Sequence, residues 1–157
     1  PQSTPNQPPI NPQSTPNQYL DCRLTTQVTL SPTGSGIIIA SADDEKHHGA
    51  LHLELFSLNG HPLTRVRLGH SALSGLICSS DGELVVSSEG KTLVVRSLHD
   101  LRELHRYTMR EQVLTFSLGT KDQHAFATTV DGGLYILANP LVNLQVLERL
   151  AVELLNL

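Results

Sequence analysis

Eight histidines stand in the sequence, and His47, His48 and His52 lie close together beside Asp43, Asp44 and Glu45. Imidazole and carboxylate are the ligands a divalent metal takes, but a site needs them held in fixed geometry. Adjacent histidines in a charged insert lack that rigidity, so Asp43, Asp44, Glu45, Lys46, His47 and His48 read as a solvated loop and a candidate partner contact. No metal site is expected. A hydrolase would need a serine or cysteine nucleophile with an organised histidine and acid. Gly34-Ser35-Gly36 has neither the spacing of a nucleophile elbow nor a helix after it. No glycine-rich loop opens a helix to hold phosphate. Asp81, Asp122 and Asp131 sit in turn-like sequence, where an Asp accepts backbone hydrogen bonds. Catalytic residues, cofactor ligands and cofactors are therefore all expected to be none. A second candidate contact is the basic group Arg102, His105, Arg106 and Arg110.

The elements that must carry these residues are constrained by composition. The 157 residues are 39% hydrophobic but only 17% charged and 4% aromatic, with no tryptophan and a net charge of -4. A core can form, and nothing marks a nucleic-acid or anionic-lipid binder, which would gather Lys and Arg. Cys22 and Cys78 are too few for a disulfide framework and read as thiols in a reducing compartment. No apolar run reaches the ~18 residues of a membrane span, and residues 1–18 lack the pattern of a signal peptide.

Residues 1–24 are predicted to be a low-complexity, disordered segment or linker, because PQSTPNQ at Pro1 to Gln7 recurs unchanged at Pro12 to Gln18. From Thr25 the pattern becomes short apolar runs broken by turn residues, which predicts strands. The runs are Thr25 to Ser31, Gly36 to Ser41, Ala50 to Ser57, Pro62 to Leu68, Leu73 to Ser79, Leu84 to Ser88, Thr92 to Leu98, Glu103 to Tyr107, Val113 to Leu118, His124 to Thr129 and Gly133 to Ala138. The turn Ser31-Pro32-Thr33-Gly34 returns as Ser79-Ser80-Asp81-Gly82 and, loosely, as Gly119-Thr120-Lys121-Asp122. Allowing for the charged insert, the period is about 40 residues, four antiparallel strands to a unit.

That period with that unit resembles the blade of a WD-repeat β-propeller. Gly69-His70 stands where the family places its Gly-His pair. The family's Trp-Asp pair, closing the third strand, is here Phe56-Ser57, Arg96-Ser97 and Leu137-Ala138, so a hydrogen-bond network built on that pair cannot form. The expected fold is all-β: a partial propeller of about 2.7 blades over residues 25–140 (about 25–68, 69–110 and 111–140). An amphipathic C-terminal helix is expected over 141–157, where Leu144, Leu147, Leu150, Ala151, Leu154 and Leu155 recur at helical steps. Too few blades to close a ring should leave apolar end faces.

Gly36 to Leu63, Val95 to Leu104 and Ala125 to Asn139 are similar in wording to the last propeller blades of neurobeachin-type BEACH-domain proteins. The family's strand and turn words are matched by Ala50 to Leu53 and Phe56 to Gly60, and a later one by Arg96 to Leu101, with Ser97 in place of an aspartate. The resemblance implies a non-enzymatic protein-binding scaffold in vesicle and membrane traffic, cytoplasmic and peripheral at endomembranes. Its implied partners are proteins, together with the other blades and the BEACH region of a longer parent chain. The alternative is a WD-repeat scaffold subunit of an unrelated cytosolic complex.

Overall fold

A computed structural model describes residues 24–42, 50–69, 71–138 and 153–156. Eleven strands lie among them: β1 (Leu24–Leu30), β2 (Ile37–Ala42), β3 (Leu51–Phe56), β4 (Pro62–Gly69), β5 (Leu73–Cys78), β6 (Leu84–Glu89), β7 (Thr92–Ser97), β8 (Glu103–Thr108), β9 (Val113–Leu118), β10 (His124–Thr129) and β11 (Leu134–Ala138). Each starts and stops within one residue of the run expected from sequence. Val, Ile, Leu and Thr fill the strands, and Gly, Ser, Asp and Pro fill the gaps, so pleat and turn preferences agree.

Consecutive strands pair antiparallel into sheets ordered β1-β2-β3-β4, β5-β6-β7-β8 and β11-β10-β9. One turn design joins the first two strands of the first two sheets. Gly34 N–H donates to Ser31 O at 2.9 Å and Ser31 N–H to Gly36 O at 3.0 Å; Gly82 to Ser79 (3.0 Å) and Ser79 to Leu84 (2.9 Å) repeat it. Gly82 has φ +75, left-handed backbone in which a side chain is strained.

The sheets stack side by side. β1 packs along β5 and β5 along β9, which brings the first strands of all three sheets together. Between the first and second sheets lies a core of Ile38, Ala40, Leu53 and Leu55 against Leu76, Val85, Leu98 and Leu101. Between the second and third, Val86, Leu93, Val95 and Met109 meet Val113, Phe116 and Ala127. The middle strands β6 and β7 are therefore covered on both faces, whereas β4, β8 and β11 alternate between exposed and half-buried positions.

The bare end faces expected of an unclosed stack are present in part. On the third sheet Leu134 and Ile136 are 67% and 65% exposed, with Phe126 beside them. On the first, Val28 and Leu30 are exposed while Ile39 and Phe56 are buried. Of the predicted C-terminal helix, 153–155 are helical, with Leu154 and Leu155 exposed. The remainder of that helix, the segment 1–23, the insert 43–49 and His70 lie outside the described residues.

Candidate functional site

Two polar constructions stand out against the apolar stacking. The first is buried. Arg96, next to last in β7, stands at the position where the repeat's tryptophan is expected, and its side chain is 7% exposed. Its Nη1 donates to Glu89 Oε1 at 2.5 Å and to Ser87 Oγ at 2.8 Å, and the Ser87 hydroxyl donates to Glu89 Oε1 at 2.6 Å. Ser87 and Glu89 share one face of β6, and Val85 on that face belongs to the core against the first sheet. The Arg96 side chain thus lies on the face of the second sheet that meets the first. Towards the surface, Arg96 Nη2 lies 4.0 Å from Glu103, and Glu103 holds Arg106 by bonds of 2.9 and 2.8 Å. The Arg106 bond holds the Glu103 carboxyl below its usual value and raises the Arg106 guanidinium. Sequence reading concluded only that the Trp-Asp network was lost. It missed this replacement, whose signal was an Arg inside the apolar run TLVVRS and, across the hairpin from that run, a Ser and a Glu two residues apart.

The second construction lies at the end of the stack where the first-to-second-strand turns gather. A Cβ on Gly82 would lie 2.7 Å from both Thr33 Cγ2 and Thr33 Oγ1, so the turns of the first two sheets are in contact. Ser80 N–H and Oγ both donate to Asp122 Oδ2 at 2.6 Å, linking the second sheet to the third. Asp81 and Asp131 follow the turn expectation. Asp81 Oδ1 accepts from Ser79 Oγ (2.5 Å) and Glu83 N–H (3.0 Å), and Asp131 Oδ1 from Thr129 Oγ1 (2.5 Å) and Gly133 N–H (3.3 Å). The Thr129 bond, with the Gly133 amide second, holds the Asp131 carboxyl low. The Asp122 carboxylate, by contrast, accepts across a sheet boundary, while its backbone N–H donates to Gly119 O at 3.0 Å within its own turn.

Between these turns opens a cleft of ≈ 400 Å³, lined by Thr33, Ser35, Leu55, Leu63, Gly82, Glu83, Leu98 and His99. Leu55 and Leu98 are buried in its floor, and Leu63 is 57% exposed at its lip. Ser31, Thr33 and Ser35 close a ring of hydroxyl bonds at 2.8, 3.2 and 2.9 Å on its wall. Sequence reading saw these turns as punctuation and missed the cleft. What assembles it is contact between turns 48 residues apart, which no local pattern displays.

The predicted basic group is not assembled at one place. Arg102 is exposed in the β7–β8 turn, 3.8 Å from Asp100, whose carboxyl is held low chiefly by the Arg102 amide. Arg106 faces the first sheet with Glu103, whereas His105 packs edge-on against Tyr107, with ring centres 4.6 Å apart. Arg110 is exposed in the β8–β9 turn, where its carbonyl accepts from Lys91 Nζ at 3.2 Å. Burial pushes the Cys78 thiol up, against a smaller pull from the Thr29 hydroxyl. Among the described residues no three His, Cys, Asp or Glu side chains gather as a metal set, and no helix is long and apolar enough to cross a membrane.

Comparison with solved structures bears on the stacked four-stranded sheets. The chain is similar to the β-propeller domain of Myceliophteria thermophila Cps50 (Swd1), with 18% identity and a TM-score of 0.59 over 73% of this chain and 35% of that one. It is also similar to the C-terminal WD40 domain of Sif2, with 12% identity and a TM-score of 0.61 over 74% and 34%. The fold is that of WD40 propeller blades. The chain spans about a third of the length of the solved domains it matches. No protein-family model and no curated protein matches the sequence.

Proposed function

We propose that the chain is a protein-interaction scaffold without catalytic activity, forming part of the C-terminal propeller of a BEACH-type protein in vesicle and membrane traffic. The observation that carries the scaffold reading is the stack of antiparallel blades, which presents turns and a cleft between the first two. The trafficking part rests on the family-like words. Phe56 closes β3, Ser57 to Gly60 form a turn with Gly60 N–H on Ser57 O at 2.9 Å, and Arg96 to Leu101 run from β7 into the next turn. Leu101 in that turn has φ 56 yet is 1% exposed, an uncommon backbone state held by packing.

Two measurements separate the parts of this proposal. Reading the coding sequence upstream of Pro1 should reveal a BEACH module, and a different neighbour there would end the trafficking reading and leave the scaffold. Cross-linking of the full chain in cells should return protein partners attached through blade turns, and a chain recovered without any would end the scaffold reading.

A further inference from the structure

The cleft between the first two blades has a composition that selects an occupant. We propose that it binds a peptide segment of a partner protein carrying an aliphatic side chain next to an arginine; this rests on the scaffold reading and adds the class of partner. Buried Leu55 and Leu98 and half-exposed Leu63 offer hydrocarbon to an apolar side chain. The Glu83 carboxylate is exposed at the cleft. Its backbone is used, with its N–H on Asp81 and its carbonyl accepting from Leu98 N–H at 2.8 Å. Among the described residues, no Lys or Arg lies within ion-pair distance of its side chain. Arg102, in the same β7–β8 turn as Leu98 and His99, lies 3.8 Å from Asp100. A planar guanidinium would complete Glu83 by paired, charge-assisted hydrogen bonds.

Size and rigidity agree with this occupant. A volume of ≈ 400 Å³ is at the small end of ligand sites, enough for a few side chains. In the Ser31–Thr33–Ser35 ring each hydroxyl donates once and accepts once, so Thr33 and Ser35, which line the cleft, each keep a lone pair for a peptide N–H. The close approach of Thr33 to Gly82 fixes one wall in advance, which reduces the ordering cost of binding.

The test is fluorescence anisotropy on the full 157-residue chain with labelled, amidated Gly-Ser-Leu-Arg-Ser-Gly and its Leu-Glu and Ala-Arg counterparts. Saturable binding of the Leu-Arg peptide is expected, with Kd raised on the order of tenfold for each counterpart, a step of about 1.4 kcal/mol. Glu83→Gln should weaken the Leu-Arg peptide by a similar factor and erase its advantage over Leu-Glu. Leu63→Ser, at an exposed position, should weaken Leu-Arg and leave Ala-Arg unchanged. Equal binding of Leu-Arg and Leu-Glu, no response to Glu83→Gln with an unaltered circular dichroism spectrum, or no saturable binding at all would each overturn the proposal. Peptide failure in a chain that still cross-links to partners rejects this cleft alone; failure of both rejects the scaffold reading as well.

Discussion

The two junctions between blades solve one problem with different chemistry. Between the second and third blades the filling is hydrocarbon: Phe116 lies over Gly75, so close that a Cβ there would come within 2.5 Å of Phe116 Cε1. Between the first and second blades part of the filling is an ion pair, Arg96 with Glu89, completed by Ser87. Apolar packing gains from area and tolerates volume-conserving exchanges. A buried pair gains little over hydrocarbon of equal shape, yet costs heavily if one partner is lost. Beside its apolar core the first junction is therefore specified in part by charge, whereas the interior of the second is specified by shape. The polar links of the second are the Ser80–Asp122 bonds at the turns and the Ser74 hydroxyl on the Val113 carbonyl.

The largest expected effect follows from that asymmetry. Arg96→Ala leaves Glu89 buried without its cation and should lower stability by about 3–5 kcal/mol in urea unfolding. Replacing both, Glu89→Leu with Arg96→Met, should recover most of the loss. A double variant as unstable as the single one would mean the pair is more than a substitute for hydrocarbon. The second junction is probed by Gly75→Ala, which over-packs against Phe116 and should cost roughly 1–3 kcal/mol. Adding Phe116→Leu should relieve part of it, so the double-mutant cycle should show coupling. Additive losses would show that the β5 backbone, and not the ring, sets the cost.

The contrast also explains which parts of the molecule were legible in sequence. Strand runs such as LHLELF and TLVVRS, and turns such as Ser79-Ser80-Asp81-Gly82, are local, so all eleven strands and the four-strand unit could be read directly. The Glu89–Arg96 pair was within reach, because the two residues are seven apart across one hairpin. It was overlooked because the absence of tryptophan was read as a loss and not as an exchange. The cleft was out of reach. Thr33 meets Gly82, and Ser80 meets Asp122, only after the blades stack, and the stacking geometry depends on side-chain fit that a repeat period does not encode.

The smallest expected effect lies at the outer end of the charged junction and depends on pH. Glu103 has its carboxyl held low in the folded chain, first by the Arg106 hydrogen bond and further by the charges of Arg106, Arg96 and His105. A carboxyl whose folded value is depressed contributes stability above its unfolded value, about 4.3, and that contribution is lost as pH falls through the lower folded value. Glu103→Gln should therefore be less stable than the parent chain at neutral pH, and the two should converge as pH drops below about 4.3. Asp100 and Asp131 are held low as well, so the parent's own acid slope is composite and the difference between the two chains is the quantity to read. Glu103 and Arg106 are each about two-fifths exposed, so salt should shrink that difference. A gap that stays constant from neutral to acid pH would show that Glu103 acts through packing, and would confine the charged character of this junction to Glu89 and Arg96.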